Sequence, residues 1–201
     1  MSDLLGAIMG QLTQQNTLSA ISNKVGSDTN TTTKALQYAV PVLLGALANK
    51  TSNRSGAASL SNALSKDHDG SILTDILGAV SGSANSGVGA GILKHVLGSN
   101  RNSVQQQLSS QTGMDASGMG QILEIAAPIL MGVLGQQKRQ NNLSENALSS
   151  LLGGAKQQAA DAPFGPSMDM LGALLGGGGR SRKSGLMGAG MSILKGILKN
   201  R

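Results

Sequence analysis

Three observations predict an all-α fold for this chain. Aromatic residues are nearly absent: Tyr38 and Phe164 are the whole complement, and there is no Trp. Strands favour aromatic and β-branched side chains, whereas helix formers dominate the apolar runs here, and a core of Leu, Ile, Val, Met and Ala packs well as close helices. The third observation is a repeat. Residues 21–47 (ISNKVGSDTNTTTKALQYAVPVLLGAL) return 87 positions later as residues 108–134 (LSSQTGMDASGMGQILEIAAPILMGVL). Ser22/Ser109, Gly26/Gly113, Asp28/Asp115, Leu36/Leu123, Ala39/Ala126, Pro41/Pro128, Leu43/Leu130, Gly45/Gly132 and Leu47/Leu134 coincide without a gap. Such self-similarity points to one helical unit used twice. The expected organisation is unit 1 over residues 1–80, a linker at 81–87, unit 2 over 88–155, and a Gly-rich basic tail over 156–201.

The elements follow in order. Ser2-Asp3 is placed to cap a first helix carrying Leu4, Leu5, Ile8, Met9 and Leu12. Asn16-Thr17 starts a short helix through Leu18 and Ile21, which Gly26 ends. Asp28 or Asn30 then caps a long helix with Leu36, Val40, Leu43 and Leu47 on one buried face. Pro41 lies inside that pattern, so a kink is expected near residues 37–41, and Pro128 predicts the same in the second copy. Leu60–Leu64 and Leu143–Leu148 are the matching short helices after each long one. Asp69-Gly70 is a turn signal leading into a helix over Ile72–Val80, and Ser81–Gly87 (SGSANSG) has the composition of a flexible linker. Gly89–Leu97 supplies another short helix, and Asn102 or Ser103 starts the next. From Gly153 onward the periodic pattern weakens.

The tail has its own character. Ala162–Pro166 reads as a stiff turn, Met168–Leu175 as a short helix, and Gly176–Ser184 as a hinge without regular structure. Residues 186–199 form an amphipathic helix candidate. Met187, Met191, Leu194 and Leu198 make one apolar stripe, which Ile193 and Ile197 widen, and its ILKGILKNR echoes Ile92–Gly98. Of the net charge of +6, residues 1–161 carry almost none, with ten Lys/Arg against nine Asp/Glu. Arg180, Arg182, Lys183, Lys195, Lys199 and Arg201 stand against Asp169 alone, so the basic character belongs to the tail and makes those six residues the candidate anion- or partner-binding set.

Reactive chemistry is not visible. Without cysteine there is neither a disulfide nor a thiolate metal site. His68 lies between Asp67 and Asp69, but the further oxygen ligands of a calcium loop are missing and turn chemistry accounts for Asp-Gly. His95 has no assignable carboxylate partner, and no serine sits in a Gly-x-Ser-x-Gly setting. Gly176–Ser184 brings a phosphate loop to mind, yet Arg182 occupies the place of the glycine required before Lys-Ser, and no strand precedes it. No catalytic residue, cofactor or metal is therefore expected, and no small-molecule substrate is evident. The first residues lack the basic start of an export signal, and the longest apolar run, residues 39–48, falls short of the roughly 20 residues of a membrane span, so a cytoplasmic location is expected.

Ala39–Leu47 (AVPVLLGAL), the turn His68-Asp69-Gly70-Ser71 and Gly89–Gly98 (GAGILKHVLG) together resemble the YidB-like family, a bacterial domain of unknown function. The resemblance spans roughly residues 1–155. It implies a compact helical bundle around a kinked middle helix, with a likeness to homeodomain helices, and brings no catalytic residue with it. The function expected is that of a non-enzymatic helical structural or interaction protein, self-associating or scaffolding a protein partner, with Met187, Met191, Leu194 and Leu198 as the partner face. Two alternatives stand beside it: a nucleic-acid binder using the basic tail, and a peripheral protein whose last helix lies on an anionic membrane surface.

Overall fold

A computed structural model describes residues 4–82 and 87–161. Among these residues the chain is mostly helical and contains no strand. The helices are α1 (Leu4–Leu12), α2 (Gln15–Val25), α3 (Thr29–Lys50), α4 (Arg54–Lys66), α5 (Ile76–Ser81), α6 (Val88–Val96), α7 (Arg101–Thr112), α8 (Ala116–Gln140) and α9 (Glu145–Asp161). Short 3-10 turns at Ser71–Thr74 and Gly98–Asn100 precede α5 and α7.

Two punctuation marks set the long helices. Gly26 and Gly113 end α2 and α7 with φ of +66° and +79°, a left-handed conformation that glycine adopts without steric cost. Two residues later an aspartate starts the next helix. The Asp28 carboxylate accepts hydrogen bonds from the backbone N–H of Asn30 and Thr31, both at 2.9 Å, and Asp115 accepts one from Gly118 at 2.9 Å. Each satisfies donors that a helix start leaves unpaired.

The core lies between α3 and α8. Leu36, Leu43 and Leu44 of α3 and Met119, Ile122 and Leu123 of α8 are fully buried, and the other helices pack around this pair. Of the two long helices, α8 is long and apolar enough to span a membrane, which the run at 39–48 did not suggest; its most apolar window is 89% buried within the fold, as suits a helix at the centre of a core. The packing crosses the middle of the chain. α3 lies against α9 and α7, while α8 lies against α4 and α2, so helices from either side of residues 83–86 share one core.

Proline and glycine work together at the α6–α8 contact. Pro128 lies inside α8 and has no N–H to offer the carbonyl four residues back, that of Glu124. Gly89 of α6 sits directly over that oxygen: a Cβ built there would fall 2.0 Å from it. Gly135 makes a similar close approach elsewhere on α8, where a Cβ would lie 1.7 Å from the carbonyl oxygen of His68. The turn at residues 67–70 thus rests on the backbone of α8. Arg139 on α8 pairs with Asp69 at 3.3 Å, and the Lys138 ammonium donates to the Ser61 carbonyl at 2.8 Å and to the Ser65 hydroxyl.

Three local expectations differ from what is observed. The helix anticipated over Ile72–Val80 is split at Asp75, whose non-helical backbone (φ −141°) stops the 3-10 turn and whose carboxylate accepts from Gly78 N–H at 2.8 Å to start α5. α7 begins at Arg101, directly out of a 3-10 turn, without a side-chain cap. α9 continues to Asp161 because Gly153 and Gly154 are exposed while Leu148, Leu152, Ala155 and Ala159 keep one buried face.

Candidate functional site

An open cleft of about 1020 Å³ lies between α4 and α6. Its floor is Leu47 of α3 and Met131 of α8, both nearly inaccessible from outside. One wall is the face of α4 presenting Gly56, Ser59, Leu60 and Ala63. The other is the face of α6 presenting Val88, Gly91, Ile92, His95 and Val96, an i, i+3, i+4, i+7, i+8 series along one side of a helix. Lys50 and Thr51 come from the end of α3, and Asp67, His68, Ser71, Ile72 and Asp75 from the turn and the segment before α5.

The lining is mainly apolar, with polar groups at the rim. Val88 is one of two large apolar side chains left exposed among the described residues, at 37% of its surface; the other is Leu77. Gly91 leaves a gap in the α6 wall: a Cβ added there would meet no heavy atom within 4 Å. Both histidines of the chain line the cleft. His68 is half-buried, and that burial pushes its pKa below the ordinary imidazole value, against the opposing pull of the Asp67 carboxylate. His95 is exposed, its Nδ1 3.3 Å from the Gly91 carbonyl oxygen. The Asp69 carboxylate is held below its usual range by the hydrogen bond it accepts from Ser71 N–H, with Arg139 helping. Asp69 therefore serves the turn and pairs with Arg139 of α8.

Among the described residues, no group of three or more His, Cys, Asp or Glu could hold a metal ion. The basic residues expected to contact a partner, Arg180, Arg182, Lys183, Lys195, Lys199 and Arg201, and the apolar stripe Met187, Met191, Leu194 and Leu198 lie outside the described residues, as does the Ser2-Asp3 cap. The sequence points to the tail and does not announce the cleft. Taken singly, the cleft residues read as core (Leu47, Met131), as turn (His68) or as surface (His95). The apolar spacing on α6 beyond what one buried face needs is the available sign.

The stretches that line the cleft, around His68-Asp69-Gly70-Ser71 and Gly89–Gly98, are those that carry the family resemblance. No curated protein and no solved structure matches the chain. A family model described as "Bacterial protein of unknown function (DUF937)" matches residues 6–137, consistent with the YidB-like resemblance. The model takes in both walls and the floor of the cleft, and the chain belongs to this family.

Proposed function

We propose that the protein is a cytoplasmic, non-enzymatic helical interaction protein whose cleft between α4 and α6 receives an apolar helical segment, by which it self-associates or scaffolds a protein partner. The cleft itself carries this reading. Its α6 wall runs from Val88 to Val96, its floor is apolar and the exposed residues around it are mostly polar, a lining suited to taking up an amphipathic helix in a groove. Met131 in the floor suits such a role, since an unbranched thioether adapts to differing side chains.

The scaffold is, on the same reading, one unit used twice, with matching bends at Pro41 and Pro128. The offset that sets Gly26 on Gly113 and Asp28 on Asp115 also exchanges packing partners. α2 on α8 answers α7 on α3, and α4 on α8 answers α9 on α3. Such an interlocked pair holds the cleft walls on rigid elements.

The test is binding of a fluorescent Leu/Lys model helix to the full chain and to Val88→Asp. Val88 opens α6, where an acid is tolerated at a helix start, so the variant places charge at the cleft mouth without breaking the helix. Binding weakened at least tenfold by the substitution supports the cleft. Equal binding by both proteins removes it. Salt-sensitive binding to DNA or anionic vesicles that depends on residues 180–201 and ignores Val88 would put the tail readings in its place.

A further inference from the structure

We propose that the occupant of the cleft is this chain's own C-terminal segment, residues 186–199; this rests on the reading of the cleft as a helix-binding groove. The first argument is a recurrence within the chain. Asp75–Gly82 (DILGAVSG) returns as Asp169–Gly176 (DMLGALLG), and both match Asp3–Gly10 (DLLGAIMG). In the two described copies the first and fifth residues after the aspartate are the buried ones, Leu4 and Ile8 in α1 and Ile76 and Val80 in α5. The next stretch recurs as well: Gly89-Ala90-Gly91 and Ile92-Leu93-Lys94 of α6 return as Gly188-Ala189-Gly190 and Ile193-Leu194-Lys195. The tail therefore repeats the α5–α6 stretch, a stretch that packs on this core.

The second argument is an asymmetry in the packing. α1 packs against α9, closing the bundle on that side, whereas α6 stands off α4 across the cleft. One apolar helix beside α6 would close the second side. The stripe Met187, Met191, Leu194 and Leu198 has the spacing of such a face.

Charge and reach agree. Asp67 and Asp75 are exposed at the cleft rim against one lysine, Lys50, while the segment carries Lys195 and Lys199 and no acid. The Ser149 hydroxyl of α9 donates to the Thr51 carbonyl, and Thr51 is among the residues lining the cleft. From Ser149 to Asp161 the helix rises about 18 Å. Residues 162–185 extend to about 80 Å at most, far more than the return requires.

The chain has no cysteine, so engineered pairs report without background. In the full chain, Ser59→Cys on the α4 wall combined with Ser192→Cys should oxidise at least tenfold faster than a control pairing Ser192→Cys with Gln107→Cys on the exposed side of α7. The product should keep monomer mass. Trypsin should cut at Arg180 and Arg182 well before Lys195 and Lys199. Gly91→Leu, whose Cβ would meet no heavy atom within 4 Å and whose helix content is checked by circular dichroism, projects an apolar side chain from the cleft wall and should abolish the cross-link preference and that protection together. Disulfides formed only between chains would make a second copy the occupant and overturn the proposal. No preference over the control, or protection that survives Gly91→Leu, would overturn it too. In either event the model helix, binding in a Val88-dependent way, would leave the groove reading intact.

Discussion

Gly89 approaches the carbonyl oxygen of Glu124 so closely that even a methyl group has no room, since its carbon would lie 2.0 Å from that oxygen. The oxygen lacks the usual helical donor because Pro128, four residues on, has no N–H to give it. One proline and one glycine on different helices therefore fix how deep α6 sits, and α6 is a wall of the cleft.

Gly89→Ala should accordingly destabilise the fold by about 2–3 kcal/mol, since the contact is backbone and cannot rotate away. Gly91→Ala, two residues along the same helix and facing open space, should be neutral or slightly stabilising, because alanine is the better helix former. Urea denaturation of the two variants checks the contrast; equal effects would mean that α6 does not rest on Glu124.

Asp115→Ala should cost about 1 kcal/mol, the ordinary loss for a helix N-cap whose carboxylate holds a backbone donor. Asp115→Asn should keep most of that stability, because the amide oxygen still accepts from Gly118. A midpoint for the alanine variant equal to that of the parent would show that α8 starts without its cap.

His68 gives the fold a pH dependence of definite sign. Burial lowers its folded pKa below the ordinary value of 6.5, so below that pH the unfolded chain binds a proton that the folded chain resists. Its contribution is largest above pH 6.5 and is lost progressively as pH falls from there through the folded pKa. Thermal melts from about pH 7.5 to about pH 5 should show a declining midpoint, and His68→Gln should flatten that decline. A midpoint equally steep in the variant would place the dependence elsewhere.

A chain ending at Gly179 should melt several degrees below the full chain, at about 3 °C for each kcal/mol of lost docking in a protein of this size. The same truncation should enhance binding of the model helix, since a competitor is gone. An unchanged melt with unchanged binding would mean that residues 180–201 do not rest on the bundle.

Much of this fold is legible because its instructions are local. Gly26 and Asp28 stop one helix and start the next within three residues, and their counterparts Gly113 and Asp115 do so again. The spacing of Leu36, Val40, Leu43 and Leu47 gives only part of the buried surface of α3, since Val42, Leu44 and Ala46 on its other sides are buried too by the helices packed around it. Asp75 is harder, since one carboxylate capturing Gly78 N–H outweighs the apolar run on either side. Gly153-Gly154 misleads in the other direction, as exposed glycines can be carried by a helix whose buried face remains whole. The cleft is not legible. Leu47, His68, Ile92 and Met131 meet only through the packing of α3, α4, α6 and α8, and nothing in their spacing announces a shared surface.

The crossed arrangement of α3 with α9 has a consequence for synthesis. On the ribosome, the apolar face of α3 emerges about a hundred residues before the helix that covers it, and at roughly 5–20 residues per second that is an interval of several seconds. During it, α3 lacks the helix that packs most extensively against it. That exposed interval ends only when α9 has cleared the exit tunnel, so a translational pause just after α9 has been made would prolong it, whereas one just after α4 would come while much of α3 is still inside the tunnel.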